Sequence, residues 1–240
     1  MSLYRDTGVV LRTIRLGEAD RIVTLATAER GKVRAVVKGV RKTTSRWGSR
    51  LEPMSHVSVM CWKGRDLDTI TQAQVLDHFR HLREDLDRLG RATVLLEVVD
   101  QVFQEGQANQ GLYAMLVGAL RTMDRQDSPL VMAGFMWKLL ALEGSTPLLD
   151  ACARCSAPEP LVAFDLVEGG ALCRTCRRGI PVSAEALDLV RRMLGGDLAG
   201  VLRDSPVPSR LTAEVDHLVG FALEAHLERR IRSLHLLERG

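Results

Sequence analysis

The sequence predicts an α+β chain: a five-stranded β-barrel, then an α-helical domain carrying an inserted four-cysteine segment. Three observations predict it. Short β-type runs separated by turn residues fill residues 7–74. After His78 the apolar spacing changes to a helical period and keeps it to the end. Two Cys-x2-Cys pairs interrupt the helical part between Cys152 and Cys176. The divisions read as 1–78 for the barrel and 79–240 for the helical domain, with the cysteine insert at 148–180.

The strands are expected at Thr7–Ile14, Arg21–Thr27, Lys32–Lys38, Ser55–Trp62 and Leu67–Gln74, with Gly31 and Gly64 in two tight hairpins. Period-two alternation in the third strand puts Val33, Ala35 and Val37 on one face and Lys32, Arg34 and Lys38 on the other. One face builds the core and the other meets solvent or ligand. Gly39–Met54 follows neither period, and loops of that length are usually functional or disordered. Further on, Leu82, Leu86, Leu89, Leu96, Val99 and Phe103 form a helical stripe with Gly90 a candidate break, and a second stripe follows Asn109. Ser128 with Pro129 opens a helix that Gly144 can close, Ser183 caps another ended by Gly195 and Gly196, and a last helix is expected from Arg210 to Leu234.

A net charge of +3 conceals two unlike parts. The first 80 residues hold 15 Lys and Arg against 8 Asp and Glu, while the remainder holds 18 against 22. Within Arg30–Arg50 stand eight basic residues and no acid: Arg30, Lys32, Arg34, Lys38, Arg41, Lys42, Arg46 and Arg50. Such a window invites a polyanion. Apolar runs are broken well short of the roughly 18 residues a bilayer span needs, and residues 1–20 have no central apolar block, which excludes a secretory signal and makes the expected location cytoplasmic.

Cys152, Cys155, Cys173 and Cys176 stand as two pairs separated by 17 residues, the spacing of a zinc ribbon. Two knuckles aim four thiolates at one tetrahedral ion and leave no position for a reactive water, so the expected cofactor is one structural zinc. Disulfides are disfavoured in a reducing compartment. Arg154, Arg174, Arg177 and Arg178 surround the ligands, either offsetting the charge of a tetrathiolate site or touching nucleic acid. Cys61 shares a strand face with Val57 and Val59 and reads as a buried apolar residue.

A small basic barrel with a long basic loop fits an OB-fold, whose strand face and loops bind nucleic acid. The candidate binding set is the eight basic residues with Trp47. Only ten aromatics exist in the chain, which favours contact through phosphates over base stacking; Trp47 is the one stacking candidate, with loop-anchoring packing as the alternative. The stretch Gly39-Val40-Arg41-Lys42-Thr43-Thr44-Ser45-Arg46-Trp47-Gly48-Ser49-Arg50-Leu51-Glu52-Pro53 resembles the signature loop of the RecO family of bacterial recombination mediators, with Lys38 before it and Lys63-Gly64-Arg65-Asp66-Leu67 after it. The segment Lys138–Gly144 with Pro147, the cysteine ribbon, and the arginine-rich end at Arg232-Ser233-Leu234 also resemble that family. Trp47 and Met54 depart from its commoner residues but keep an apolar role. The resemblance implies a non-catalytic protein of the RecF pathway that binds single- and double-stranded DNA and anneals complementary strands. It also implies that the protein works with RecR to load RecA on DNA coated by the single-stranded-DNA-binding protein.

Enzyme motifs are missing: there is neither a G-x-x-x-x-G-K-[ST] loop nor H-E-x-x-H. Asp66 and Asp68 beside Gly64 read as turn residues, and His78 with His81, like His217, His226 and His235, form no evident site. The rival function is an OB-fold and zinc-ribbon adaptor for RNA or the transcription machinery, which composition alone does not separate from the DNA reading.

Overall fold

Five strands rich in β-branched residues close into a barrel in the computed structural model, which describes residues 2–41, 45, 47, 49–158, 160–204 and 206–237. They are β1 (Leu3–Leu16), β2 (Asp20–Thr27), β3 (Gly31–Val37), β4 (His56–Trp62) and β5 (Asp68–Asp77), in the order β1-β2-β3-β5-β4. All neighbours are antiparallel except β3 and β5, which meet through Ala35↔Asp68 and Val36↔Thr69. β1 runs four residues further at its start than the alternation predicts, because Leu3 to Thr7 pair with Trp62 to Ser58. The alternation expected in β3 is observed, with Val33, Ala35 and Val37 buried and Arg34 exposed. Gly31 is required at the β2–β3 turn: its φ is +68°, and a Cβ there would collide with the carbonyl oxygens of Gln104 and Gln107.

The core of the barrel contains Val10, Val23, Leu25, Val33, Val37, Val57, Val59, Cys61 and Ile70. Trp47 and Leu51, from the connection between β3 and β4, belong to it as well. Three helices follow: α1 (Arg80–Glu84), α2 (Leu86–Val102) and α3 (Gln110–Arg125). The first stripe breaks at Asp85, not at Gly90, because Asp85 turns extended and its carboxylate caps α2 by accepting from the Arg88 N–H at 3.0 Å. The chain divides into two compact units, one reaching through Asp127 with the residues from His235, the other Ser128–Leu234. The change of periodicity at residue 78 marks the passage from strands to helices within the first unit. Asp100 of α2 pairs with Arg12 of β1 at 2.6 Å, and the Lys32 N–H donates to the Gln104 carbonyl at 2.9 Å.

A buried polar chain fixes α3 to the barrel. His56 Nδ1 lies 2.6 Å from Asp77 Oδ2, its Nε2 lies 2.8 Å from the Tyr113 hydroxyl, and that hydroxyl donates to Thr7 Oγ1 at 3.0 Å. Burial alone would raise the Asp77 carboxyl, but hydrogen bonds from His56 and Arg121 outweigh it and hold its pKa below the usual value. A depressed carboxylate stabilises the fold above its unfolded pKa and ceases to do so as pH falls through the folded one. Asp77→Asn is therefore expected to lower stability at pH 7 and to lose that effect progressively as pH falls through the depressed Asp77 pKa, as read from urea midpoints at neutral and at acid pH.

The second unit holds α4 (Leu130–Leu142), a small sheet of β6 (Leu161–Asp165), β7 (Gly170–Cys173) and β8 (Ile180–Pro181) in the order β7-β6-β8, and then α5 (Ala184–Leu194), α6 (Leu198–Arg203) and α7 (Ser209–Leu227). α4 starts one residue later than expected, with Pro129 at helical φ and ψ outside it. Ser183 caps α5 by accepting from the Ala186 N–H. The last expected helix is two: Glu228 adopts a left-handed φ of 51°, ends α7, and α8 (Arg232–Leu237) follows. No described helix is long and apolar enough to cross a membrane.

Candidate nucleic-acid interface and metal centre

Residues distant in sequence converge at the β1–β2 hairpin. The Arg41 N–H donates to the Ala19 carbonyl at 2.9 Å and its guanidinium to the Gly17 carbonyl at 3.3 Å, which holds Arg41 at the hairpin tip. Arg15 is exposed two residues away, in register with Arg21 on β2, and Arg21 faces Val37 on β3. Lys38, just past β3, is also exposed. Arg21 is tied to Glu52 at 2.6 Å, so Arg15, Lys38 and Arg41 are the outward cations of this end. Arg15 and Arg21 escaped the sequence reading because they lie outside the basic window; their position on either side of the Gly17 turn was the available signal. Arg50 is exposed and lines an open groove of about 640 Å³ with Ser49, Gln74 and His78 along β5. Lys42 and Arg46 lie outside the described residues.

Within the candidate set, Lys32 and Arg34 have acidic partners and Trp47 is packed inward. Lys32 is mostly buried, with its ammonium 3.3 Å from Asp100 Oδ1 and donating to the Asp100 carbonyl. Arg34 stands 3.9 Å from Glu105. The outward face of β3 is thus met by acids from α2 and the residues after it. Trp47 is 4% exposed and its indole N–H donates to the Lys38 carbonyl at 3.1 Å. Its ring faces the barrel core and has no face for a base. Burial of this large ring and satisfaction of its single donor fix Trp47 itself to the barrel.

At the opposite end of β1, the Arg30 guanidinium lies 4.0 Å over the Tyr4 ring, a cation–π contact. The Tyr4 hydroxyl donates to Asp68, whose other oxygen accepts from the Gly64 N–H at 2.9 Å, so Asp68 has the expected turn role. Arg30, Arg34, Lys63 and Arg65 line a cleft of about 210 Å³ there, with Asp66 and Glu105.

The four cysteines come together in the second unit. Their sulfurs all lie within 4.8 Å of one another, and Cys155 Sγ is 3.7 Å from Cys173 Sγ. A tetrahedral ion with metal–sulfur bonds near 2.3 Å needs sulfur separations of roughly 3.8 Å, so the donor set fits a metal ion. Among the described residues no other His, Cys, Asp or Glu group fits one. Backbone N–H groups of Cys173, Cys155 and Arg154 pull the Cys152 thiol down to about 6, and those of Cys176 and Thr175 lower Cys173. The neighbouring Cys155 sulfur, burial and the remaining sulfurs push Cys176 up to about 12. The site thus favours negative sulfur while crowding it, and a cation relieves the conflict. Arg178 does not serve the sulfurs, because Asp165 at 3.1 Å and Glu168 at 2.7 Å hold it. Cys61 is buried and apart, as expected.

Comparison with known proteins places matches over almost all of the chain. Residues 1–79 match the family described as Recombination protein O N terminal, and residues 83–235 match Recombination protein O C terminal. The chain is 45% identical over 248 residues to the DNA repair protein RecO of a Nocardioides species, covering 99% of this chain and 100% of that protein. It is 42% identical over 245 residues to the DNA repair protein RecO of Frankia casuarinae, covering 100% of both.

Proposed function

Because the chain belongs to the recombination protein O family and so has a role in DNA repair and recombination, we propose that it is a cytoplasmic, non-catalytic mediator that binds single- and double-stranded DNA through phosphates and anneals complementary strands. The observation that carries this is the outward trio Arg15, Lys38 and Arg41, drawn to one end of the barrel where Glu52 is taken up by Arg21 and Asp20 by the Gly39 N–H, with Glu18 the exposed acid of the hairpin tip. Lys and Arg side chains displace counterions from phosphates and read no sequence. Two strands repel through their phosphates; a basic surface that screens both lowers the barrier to pairing, and no nucleotide hydrolysis is needed. Zinc is the ion that four thiolates in a tetrahedron suit best, and it would be held by Cys152, Cys155, Cys173 and Cys176 as a structural brace. RecR, the single-stranded-DNA-binding protein and RecA loading enter as partners and outcome on the family likeness.

The test is annealing. Mixing two complementary oligonucleotides with the protein, without ATP, is expected to accelerate duplex formation; no acceleration at any protein concentration contradicts the proposal, and magnesium-dependent cleavage would mark a nuclease instead. The acids over β3 give a second expectation. An exposed ion pair is worth roughly 0.2–1 kcal/mol, so Glu105→Gln, which releases Arg34, is expected to raise single-strand affinity about two- to threefold at low salt. Fluorescence anisotropy reads this directly.

A further inference from the structure

Each cysteine knuckle carries an arginine between its two ligands, Arg154 in one and Arg174 in the other, and Arg177 follows the second. All three are exposed, and their side chains make no hydrogen bond or ion pair among the described residues. The described acids of the segment are engaged elsewhere, Asp165 and Glu168 with Arg178, and Asp150 with Arg191 at 3.3 Å, while Glu159 lies outside the described residues. Sulfurs within 4.8 Å of one another bring the two knuckles side by side, so Arg154, Arg174 and Arg177 stand on neighbouring turns. A guanidinium is a planar fork that matches a phosphate and keeps its charge at every working pH.

We infer that the ribbon tip of Arg154, Arg174 and Arg177 is a second phosphate-binding site, which holds a DNA strand other than the one on the barrel. The inference rests on the reading of the barrel as a DNA-binding surface and adds to it: annealing needs two strands, and the chain offers one basic site on each compact unit. The experiment titrates the full, metal-loaded chain at low salt with an oligothymidylate, which cannot pair with itself, and counts strands per chain and metal per chain. The wild type is expected to bind two strands. Arg154→Gln, Arg174→Gln and Arg177→Gln combined should leave one strand with the metal content unchanged, and the matching Lys triple should keep two. Lys38→Ala with Arg41→Ala should leave the ribbon strand alone. Two strands on the Gln triple, or a single strand on the wild type that only the barrel variant removes, would overturn the inference and spare the barrel reading. Loss of metal from the Gln triple would show that the arginines serve the cluster, which also overturns it. A wild type that binds no strand defeats both readings.

Discussion

Stripping the cysteine cluster with a chelator, or replacing Cys173 by Ser, is expected to unfold the ribbon and loosen the unit of residues 128–234 while the barrel keeps its own stability. The effect is large because a structural zinc in a small domain supplies on the order of 10 kcal/mol of binding free energy that is also folding free energy. The sheet of this segment is short, β7 having four residues and β8 two, so few ladder hydrogen bonds hold it. Amide hydrogen exchange resolves the two units separately. Protection should fall by orders of magnitude around β6 and β7 and stay unchanged in β1 to β4; equal protection with and without chelator would contradict a structural metal. The metal must displace the protons held by Cys155 and Cys176, both raised above the ordinary thiol value, so its affinity should rise with pH across the neutral range.

Trp47→Ala is expected to cost the barrel about 3–5 kcal/mol, the usual penalty for emptying a large aromatic site. Trp47→Phe keeps most of the volume and loses one hydrogen bond to a backbone carbonyl, for about 1 kcal/mol. Urea unfolding of the three proteins tests this. A stacking role predicts the opposite pattern, with stability unchanged and DNA affinity lost on removal of the ring.

Local pattern carried the barrel and the metal site into the sequence. Alternation in β3, the turn glycines Gly31 and Gly64, and the paired cysteines each act over a few residues, and each is observed where it was read. What long-range packing decides was not legible. Lys32 and Arg34 look free along the strand, but their partners Asp100 and Glu105 are some seventy positions away in sequence. Trp47 sits among arginines in a polar stretch, so its burial depends on a core assembled from other strands. The helix ends at Asp85 and Glu228 break stripes that continue across them, because an apolar face persists through a bend.

The central claim, that the basic end of the barrel grips DNA by its phosphates, is tested most directly by binding mixed-sequence single strands across a salt series, wild type against Lys38→Ala with Arg41→Ala. Log affinity should fall with log salt at roughly −0.7 per phosphate neutralised. The double variant should bind every sequence more weakly and flatten that slope by about 1.4, with stability scarcely changed because exposed charges contribute little to folding. Equal slopes in the two proteins would reduce this end of the barrel to a solvated surface, and a loss confined to particular sequences would mean base readout; either result contradicts the account.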